Sequence, residues 1–142
     1  MNNYLPTDYQ SFIHTSRYAR WLDEEGRRET WGETVGRYVS NIVAPVIEDT
    51  AVQNEISEAI TGLEVMPSMR SMMTAGVAAA RDNTCMYNCS YLVIDDPKAF
   101  DEAMFILLCG TGVGFSCERQ YIKNLPEVPE TLFDSETTIV VK

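Results

Sequence analysis

The chain has 142 residues, enough for one modest domain, and its 45% hydrophobic and 23% charged content is that of a folded protein. Eleven Lys and Arg stand against 21 Asp and Glu, a formal net charge of −10, and the densest basic run, Arg27-Arg28, is bracketed by Glu24, Glu25 and Glu29. That balance excludes a basic stripe for gripping nucleic acid phosphates. No run of about 18 apolar residues offers a membrane span, and Met1-Asn2-Asn3-Tyr4 lacks the basic and apolar regions of a signal peptide. Four cysteines without such a signal fit a reduced, cytoplasmic setting better than two disulfides.

Tyr9, Phe12, Tyr18 and Trp21 punctuate a polar segment and predict a helix or helix-turn with an apolar face. Asp23 to Arg28 reads as a charged turn around Gly26. Thr30-Trp31-Gly32-Glu33 fits a capping box, a hydroxyl at the cap and a carboxylate three residues on. Val35, Val39, Ile42 and Val43 then share one helical face until Pro45 ends or kinks it. Asp49 or Thr50 caps a further helix, with Ile56, Ile60 and Leu63 as its buried stripe. Met66 to Ala80, rich in Met, Ser, Ala and Gly, reads as a loop running through a site. Tyr87 to Ile94 has strand character, and Asp95-Asp96-Pro97 starts a helix whose buried face would be Phe100, Met104 and Leu107 or Leu108. Gly110 stops that helix and Val113-Gly114-Phe115-Ser116 begins a second strand. Asn124 to Thr137 is acidic and holds Pro126 and Pro129, and Ile139-Val140-Val141-Lys142 is a β-type run in want of a neighbour. One strand-helix-strand unit cannot bury both faces of its sheet. The chain alone is therefore expected to be poorly stable or prone to aggregate.

Among residues that could carry chemistry, Cys85 and Cys89 are spaced C-x-x-x-C, while Cys109 and Cys117 flank a glycine-rich turn. Structural zinc takes closely spaced pairs on tight knuckles, so this spacing argues against a metal. Cys85, Cys109 and Cys117 read as small buried hydrophobes, the usual state of free cysteine. His14, the one histidine, reads as a core or surface residue, because no orienting partner for a Cys-His pair can be identified. Gly110-Thr111-Gly112-Val113-Gly114 permits close backbone approach. It runs from helix to strand, however, whereas phosphate-binding fingerprints run from strand to helix. The Met66, Met69, Met72, Met73 cluster reads as core filler. In Pro67-Ser68-Met69-Arg70-Ser71, two hydroxyls and a guanidinium precede a strand and suit a phosphate oxygen.

Together these pieces resemble a known pattern. Tyr18-Ala19-Arg20-Trp21-Leu22, followed by Glu29-Thr30-Trp31-Gly32-Glu33-Thr34-Val35, is similar to the amino-terminal region of monomeric, adenosylcobalamin-dependent (class II) ribonucleoside-triphosphate reductases. Met66-Pro67-Ser68-Met69-Arg70, Asn88-Cys89-Ser90-Tyr91 and Gly110-Thr111-Gly112-Val113-Gly114-Phe115-Ser116 follow in that family's order, over most of residues 15 to 125. The resemblance implies an α/β fold in which residues 1–65 form a helical amino-terminal region. Residues 66–142 would then form a substrate loop and the opening strand, helix and strand of a ten-stranded barrel. It places Cys89 on the first barrel strand as one half of a redox dithiol. Asn88 lies beside it, Gly112 falls where a backbone amide approaches substrate, and Ser68 where a loop residue does. In such enzymes a thiyl radical made with adenosylcobalamin takes the ribose 3′ hydrogen, the 2′ hydroxyl leaves as water, and the dithiol supplies the reducing equivalents. A thioredoxin-like reductant reopens the resulting disulfide.

The sequence departs from that pattern as well. Nothing resembles the finger-loop cysteine, its neighbouring asparagine and glutamate, the partner redox cysteine, a cysteine-bearing tail or a cobalamin-binding segment. The implied protein is one chain of a split enzyme, bacterial or phage-encoded and acting in the cytoplasm, and a truncated piece of a whole enzyme would look identical. A second polypeptide would complete the barrel and hold most of the adenosylcobalamin, ribonucleoside triphosphates would be substrates, and a dNTP effector would be a further partner. Three alternatives stay open: the large subunit of an iron-dependent or dimeric cobalamin reductase, an inert reductase-derived binding module, and a small zinc module.

Overall fold

A computed structural model of the chain describes residues 5–127, so most of the acidic tail and the run at residues 139–142 lie outside the described residues. The chain starts with helix α1 (Asp8–Ile13), capped by the Thr7 hydroxyl and continued by a wider π-turn over His14–Tyr18. Two short strands, β1 (Trp21–Leu22) and β2 (Arg27–Arg28), pair antiparallel around the charged turn, where Gly26 takes a φ of +62°. Thr30 and Glu33 then form the expected capping box, opening α2 (Trp31–Tyr38) and a π-turn over Val39–Val43 that stops just ahead of Pro45. Asp49 caps α3 (Thr50–Thr61) by accepting the Ala51 amide at 2.8 Å.

The core lies among these helices. Trp31, Val35 and Ile60 are buried together with Met72, and Tyr18, Tyr38, Val39, Ile56 and Leu63 pack round them. The stripes expected on α2 and α3 are therefore the ones that close. Met72 belongs to a segment that the sequence reading leaves as a loop, and the structure corrects this. Residues 66–80 hold two short helices, α4 (Met69–Thr74) and α5 (Val77–Arg81), separated by Gly76 at φ +107°. Met, Ala and Arg are good helix formers. What the glycine does is divide a helix, and burial of Met72 anchors the first half.

A polar clamp runs through this core. Glu29 is 8% exposed and its carboxylate accepts from Arg37 Nε and Nη2 at 2.8 and 3.0 Å, from the Arg20 amide at 3.0 Å and from the Thr34 hydroxyl at 3.0 Å. Arg37 also donates to the carbonyls of Met72, Ala75 and Tyr18 at 2.9, 2.8 and 3.0 Å, joining α2 to the end of α4 and to the first π-turn. Because Thr34 gives its one proton to Glu29, it must accept from His14 Nε2 at 2.9 Å, which fixes the imidazole as the Nε2–H tautomer. His14 is thus a core histidine, edge-on to Trp31 with ring centroids 5.5 Å apart.

Burial lowers the His14 pKa below its ordinary 6.5, against the pull of Glu29 and with the help of Arg37. Burial alone would raise Glu29, but the Arg37 guanidinium, the Arg20 amide and the Thr34 hydroxyl outweigh it and hold the carboxyl below its ordinary 4.5. The folded chain therefore binds fewer protons than the unfolded chain at both sites, and its stability rises with pH. We expect the melting temperature to begin falling once pH drops below the ordinary imidazole value. A second fall should follow as pH passes below 4.5 through the depressed Glu29 value. A melting temperature that stays flat from pH 7 to 5 in His14-containing protein would remove the first step.

After a 3₁₀ turn (Asn83–Met86), strand β3 (Cys89–Val93), helix α6 (Lys98–Leu108) and strand β4 (Gly112–Ser116) form a β-α-β unit, followed by a single helical turn, α7 (Arg119–Ile122). Asp96 accepts the Lys98 amide at 2.8 Å behind Pro97, the start that the sequence announces. Strands β3 and β4 pair parallel, in the register Cys89↔Gly112, Ser90↔Val113, Tyr91↔Gly114. The described residues thus hold two two-stranded sheets in a mixed helix-and-strand fold, and a ten-stranded barrel is not formed by them.

The expected buried face of α6 is a second correction. Phe100, Met104, Leu107 and Leu108 are 61, 59, 54 and 79% exposed, and Ala99 is the residue of α6 that is buried. Periodicity reports that a face is apolar. It does not report that anything in the same chain covers it.

Candidate functional site

The site is the face of the parallel pair that carries Cys89. Helix α6 packs on both strands, and along β3 exposure alternates, with Cys89 and Tyr91 open and Ser90 and Leu92 half-buried. Side chains of a strand point to opposite faces in turn, so Cys89 and Tyr91 share the open face. Their partners in register, Gly112 and Gly114, bring no side chain to it. A thiol and a phenol therefore stand along β3 opposite bare backbone at Gly112 and Gly114.

The glycines divide by cause. Gly110, at φ +86°, is demanded by the backbone where α6 ends. Gly112 and Gly114 have ordinary φ, and a Cβ added to them would meet Asn88 O at 3.5 Å and Ser90 O at 3.6 Å, normal contact distances. The fold of this chain does not require glycine at either place. What their absence of side chain leaves is room above the sheet.

Four donor groups, making five hydrogen bonds, hold this floor. The Gly112 amide donates to the Asn88 carbonyl at 3.0 Å, and the Ser90 hydroxyl donates to the Gly112 carbonyl at 3.2 Å. The buried Thr111 hydroxyl reaches the carbonyls of Thr84 and Tyr87, at 2.7 and 3.0 Å, pinning the turn that leads into β3. The Arg70 guanidinium donates to the Gly110 carbonyl, which ties the start of α4 to the end of α6.

Of the residues expected at the site, Cys89, Asn88 and Gly112 are brought together at the head of the two strands, and all three are exposed. The Gly112 amide, expected to approach substrate, donates to the Asn88 carbonyl in the strand ladder. Ser68 is exposed at the N-cap of α4, two residues from Arg70, and its hydroxyl makes no capping bond. The sequence reading gives Tyr91 and Thr111 no role of their own, and it offers the Arg70 guanidinium to a phosphate oxygen, whereas here that guanidinium is held by the Gly110 carbonyl; Tyr91 was within its reach, since it follows Cys89 by two positions on a predicted strand. All four cysteines are free thiols. Cys85 and Cys109 are half-buried, but Cys117, read as a buried hydrophobe, is exposed just beyond β4. Among the described residues no group of His, Cys, Asp and Glu could hold a metal ion, and no helix is long and apolar enough to cross a membrane.

No protein-family model matches the chain. Curated proteins do. An adenosylcobalamin-dependent ribonucleoside-triphosphate reductase of Lacticaseibacillus paracasei is 30% identical over 87% of this chain, and that of Lactobacillus leichmannii is 28% identical over 78%. A crystal structure of a B12-dependent, class II ribonucleotide reductase superposes with a TM-score of 0.64 over 83% of this chain, at 27% identity. Its relatives are class II ribonucleotide reductases. The chain spans only about a fifth of their length, 21% of the paracasei enzyme, 20% of the leichmannii enzyme and 21% of the crystallised chain. The resemblance read from the motifs agrees with these relatives.

Proposed function

We propose that the chain is the amino-terminal part of an adenosylcobalamin-dependent ribonucleotide reductase and supplies Cys89 as one sulfur of its redox pair. The observation that carries this reading is the position of the Cys89 thiol, exposed on the helix-free face of β3 and opposite Gly112 in a parallel pair. In a β/α barrel the helix-free face is the interior, where a substrate would lie. The reaction balances as ribonucleotide plus two thiols giving deoxyribonucleotide, water and a disulfide. Cys89 contributes one thiol, and the cysteine that contributes the other must bring its Cα within about 7 Å. Asn88 and Ser68 offer exposed polar groups to the substrate, and Gly112 offers clearance.

The described residues do not fit the cobalamin itself. The single histidine is buried against Thr34, and the clefts beside it and beside α5, of about 320 and 440 Å³, are too small for a corrinoid. That group would supply the radical, and in this reading a second polypeptide holds it. The same polypeptide would cover the apolar face of α6 and extend the sheet, with residues 1–65 as the helical region and 66–142 as the opening of the barrel. Ribonucleoside triphosphates as substrates, a dNTP effector and a thioredoxin-like reductant complete the proposal, together with a cytoplasmic setting in a bacterial or phage-infected cell.

Affinity purification from the native host tests this. A co-purifying chain that bears the remaining cysteines, and an assembly that reduces ribonucleoside triphosphates when adenosylcobalamin is added, are expected. Activity that instead requires a radical-bearing small subunit would defeat the cobalamin assignment. Gly112→Ala probes the floor: because its Cβ meets Asn88 O at an ordinary 3.5 Å, melting should be unchanged while KM for the nucleotide rises in the assembled enzyme.

A further inference from the structure

Two thiols that the reductase reading leaves idle face a common cleft. Cys85 lies in the 3₁₀ turn, Cys109 caps the end of α6, and both are half-buried. They line one cleft of about 440 Å³ together with Arg20, Arg81 and Asp82. The Thr111 hydroxyl, bonded to the Thr84 and Tyr87 carbonyls, clamps the turn that carries Cys85 against the segment just after Cys109. Desolvation first, then Asp82 and Cys85, raise the Cys109 pKa, so exchange at this cleft should quicken as pH rises. Arg81 makes no side-chain hydrogen bond or ion pair within the described residues, leaving its guanidinium to a ligand. Two arginines beside two thiols are notable in a chain with a net charge of −10.

We infer that Cys85 and Cys109 form a dithiol site separate from Cys89, which closes to an intramolecular disulfide by exchange with a small anionic disulfide drawn in by Arg20 and Arg81. One protein thiolate attacks the external disulfide, forms a mixed disulfide and releases the first small thiolate. The second protein thiolate then displaces the other half. Two protein thiols are oxidised, one external disulfide is reduced to two thiols, and the two protons lost by the protein sulfurs are taken up by the departing thiolates. The guanidinium groups select carboxylate-bearing oxidants over cationic ones. The cross-link would join the turn entering β3 to the end of α6, and so fix both approaches to the Cys89 floor. The inference does not depend on the reductase reading, since it needs only the cleft.

The test treats the full chain with glutathione disulfide, or with cystamine as a cationic disulfide, and maps unreduced peptides. The Cys85–Cys109 peptide should be the main cross-link, and it should form several-fold faster with glutathione disulfide. Arg81→Gln should keep the cross-link and lose most of that preference. Cys85→Ser and Cys109→Ser should each stop at one mixed disulfide on the remaining thiol. Phenylarsine oxide, which needs two adjacent thiols, should protect this pair from alkylation in the unsubstituted chain and in neither variant. Mixed disulfides on both cysteines without a cross-link, a main cross-link to Cys89 or Cys117, or the pairing pattern of urea-unfolded chain would overturn the dithiol site. Cystamine reacting as fast as glutathione disulfide would overturn the anion selectivity.

Discussion

Arg37→Ala is expected to destabilise the chain by about 3–5 kcal/mol, the cost of stranding a buried charge. The substitution removes both nitrogens that neutralise Glu29, itself 8% exposed, and abandons the carbonyls of Met72, Ala75 and Tyr18. Domains of this size are stable by only about 5–15 kcal/mol, so a large part of the native margin would go. Urea unfolding reads the effect as a lower midpoint with an unchanged slope. Lysine at 37 should not rescue it, because one ammonium cannot reach a carboxylate and three carbonyls in the guanidinium's fork geometry. Arg27→Ala is the control. Arg27 also pairs with carboxylates, Glu25 and Glu33, but at the surface, where solvent screens the pairs, so its loss should cost far less. Equal losses for the two variants would mean that the clamp does not hold the helices together.

This clamp also shows where sequence reading stops. The capping box at Thr30 and Glu33, the Asp96-Pro97 start and the Gly110 stop are local, each made by residues within a few positions, and each is legible as chemistry. The stripes on α2 and α3 are legible because their cover, Met72 included, lies in the same chain. Arg37 gives no such signal. Its carbonyl partners at 72 and 75 lie across the core, and nothing in the spacing points to them. Several of the tryptophan-rich residues that carry the family resemblance, Glu29, Trp31, Thr34 and Val35, turn out to be clamp and core residues, not site residues. The strand that carries the candidate Cys89 and the glycine-rich turn beside it were legible from local pattern, whereas the role given to Cys89 came from the family resemblance. The loop expected over residues 66–80 failed for the opposite reason, since composition was weighed without the tertiary contact of Met72 that makes a helix of it.

The same reasoning gives the second large effect. If the chain supplies Cys89 to a reductase as proposed, Cys89→Ser should abolish turnover of that assembly under a thiol reductant while leaving fold and assembly intact. The thiol is exposed and β3 is held by its backbone ladder and by the Thr111 and Ser90 hydroxyls, so exchanging sulfur for oxygen should shift stability by no more than about 0.5 kcal/mol. A hydroxyl cannot share a disulfide, and without one the two electrons that reduce the ribose have no donor pair. Nucleotide binding, read by equilibrium dialysis, should persist, which separates loss of chemistry from loss of the site. Cys117→Ser, also exposed but beyond β4, should keep full turnover. An inert binding module predicts that both variants behave alike, and an assembly that turns over repeatedly with serine at position 89 would take Cys89 out of the redox pair.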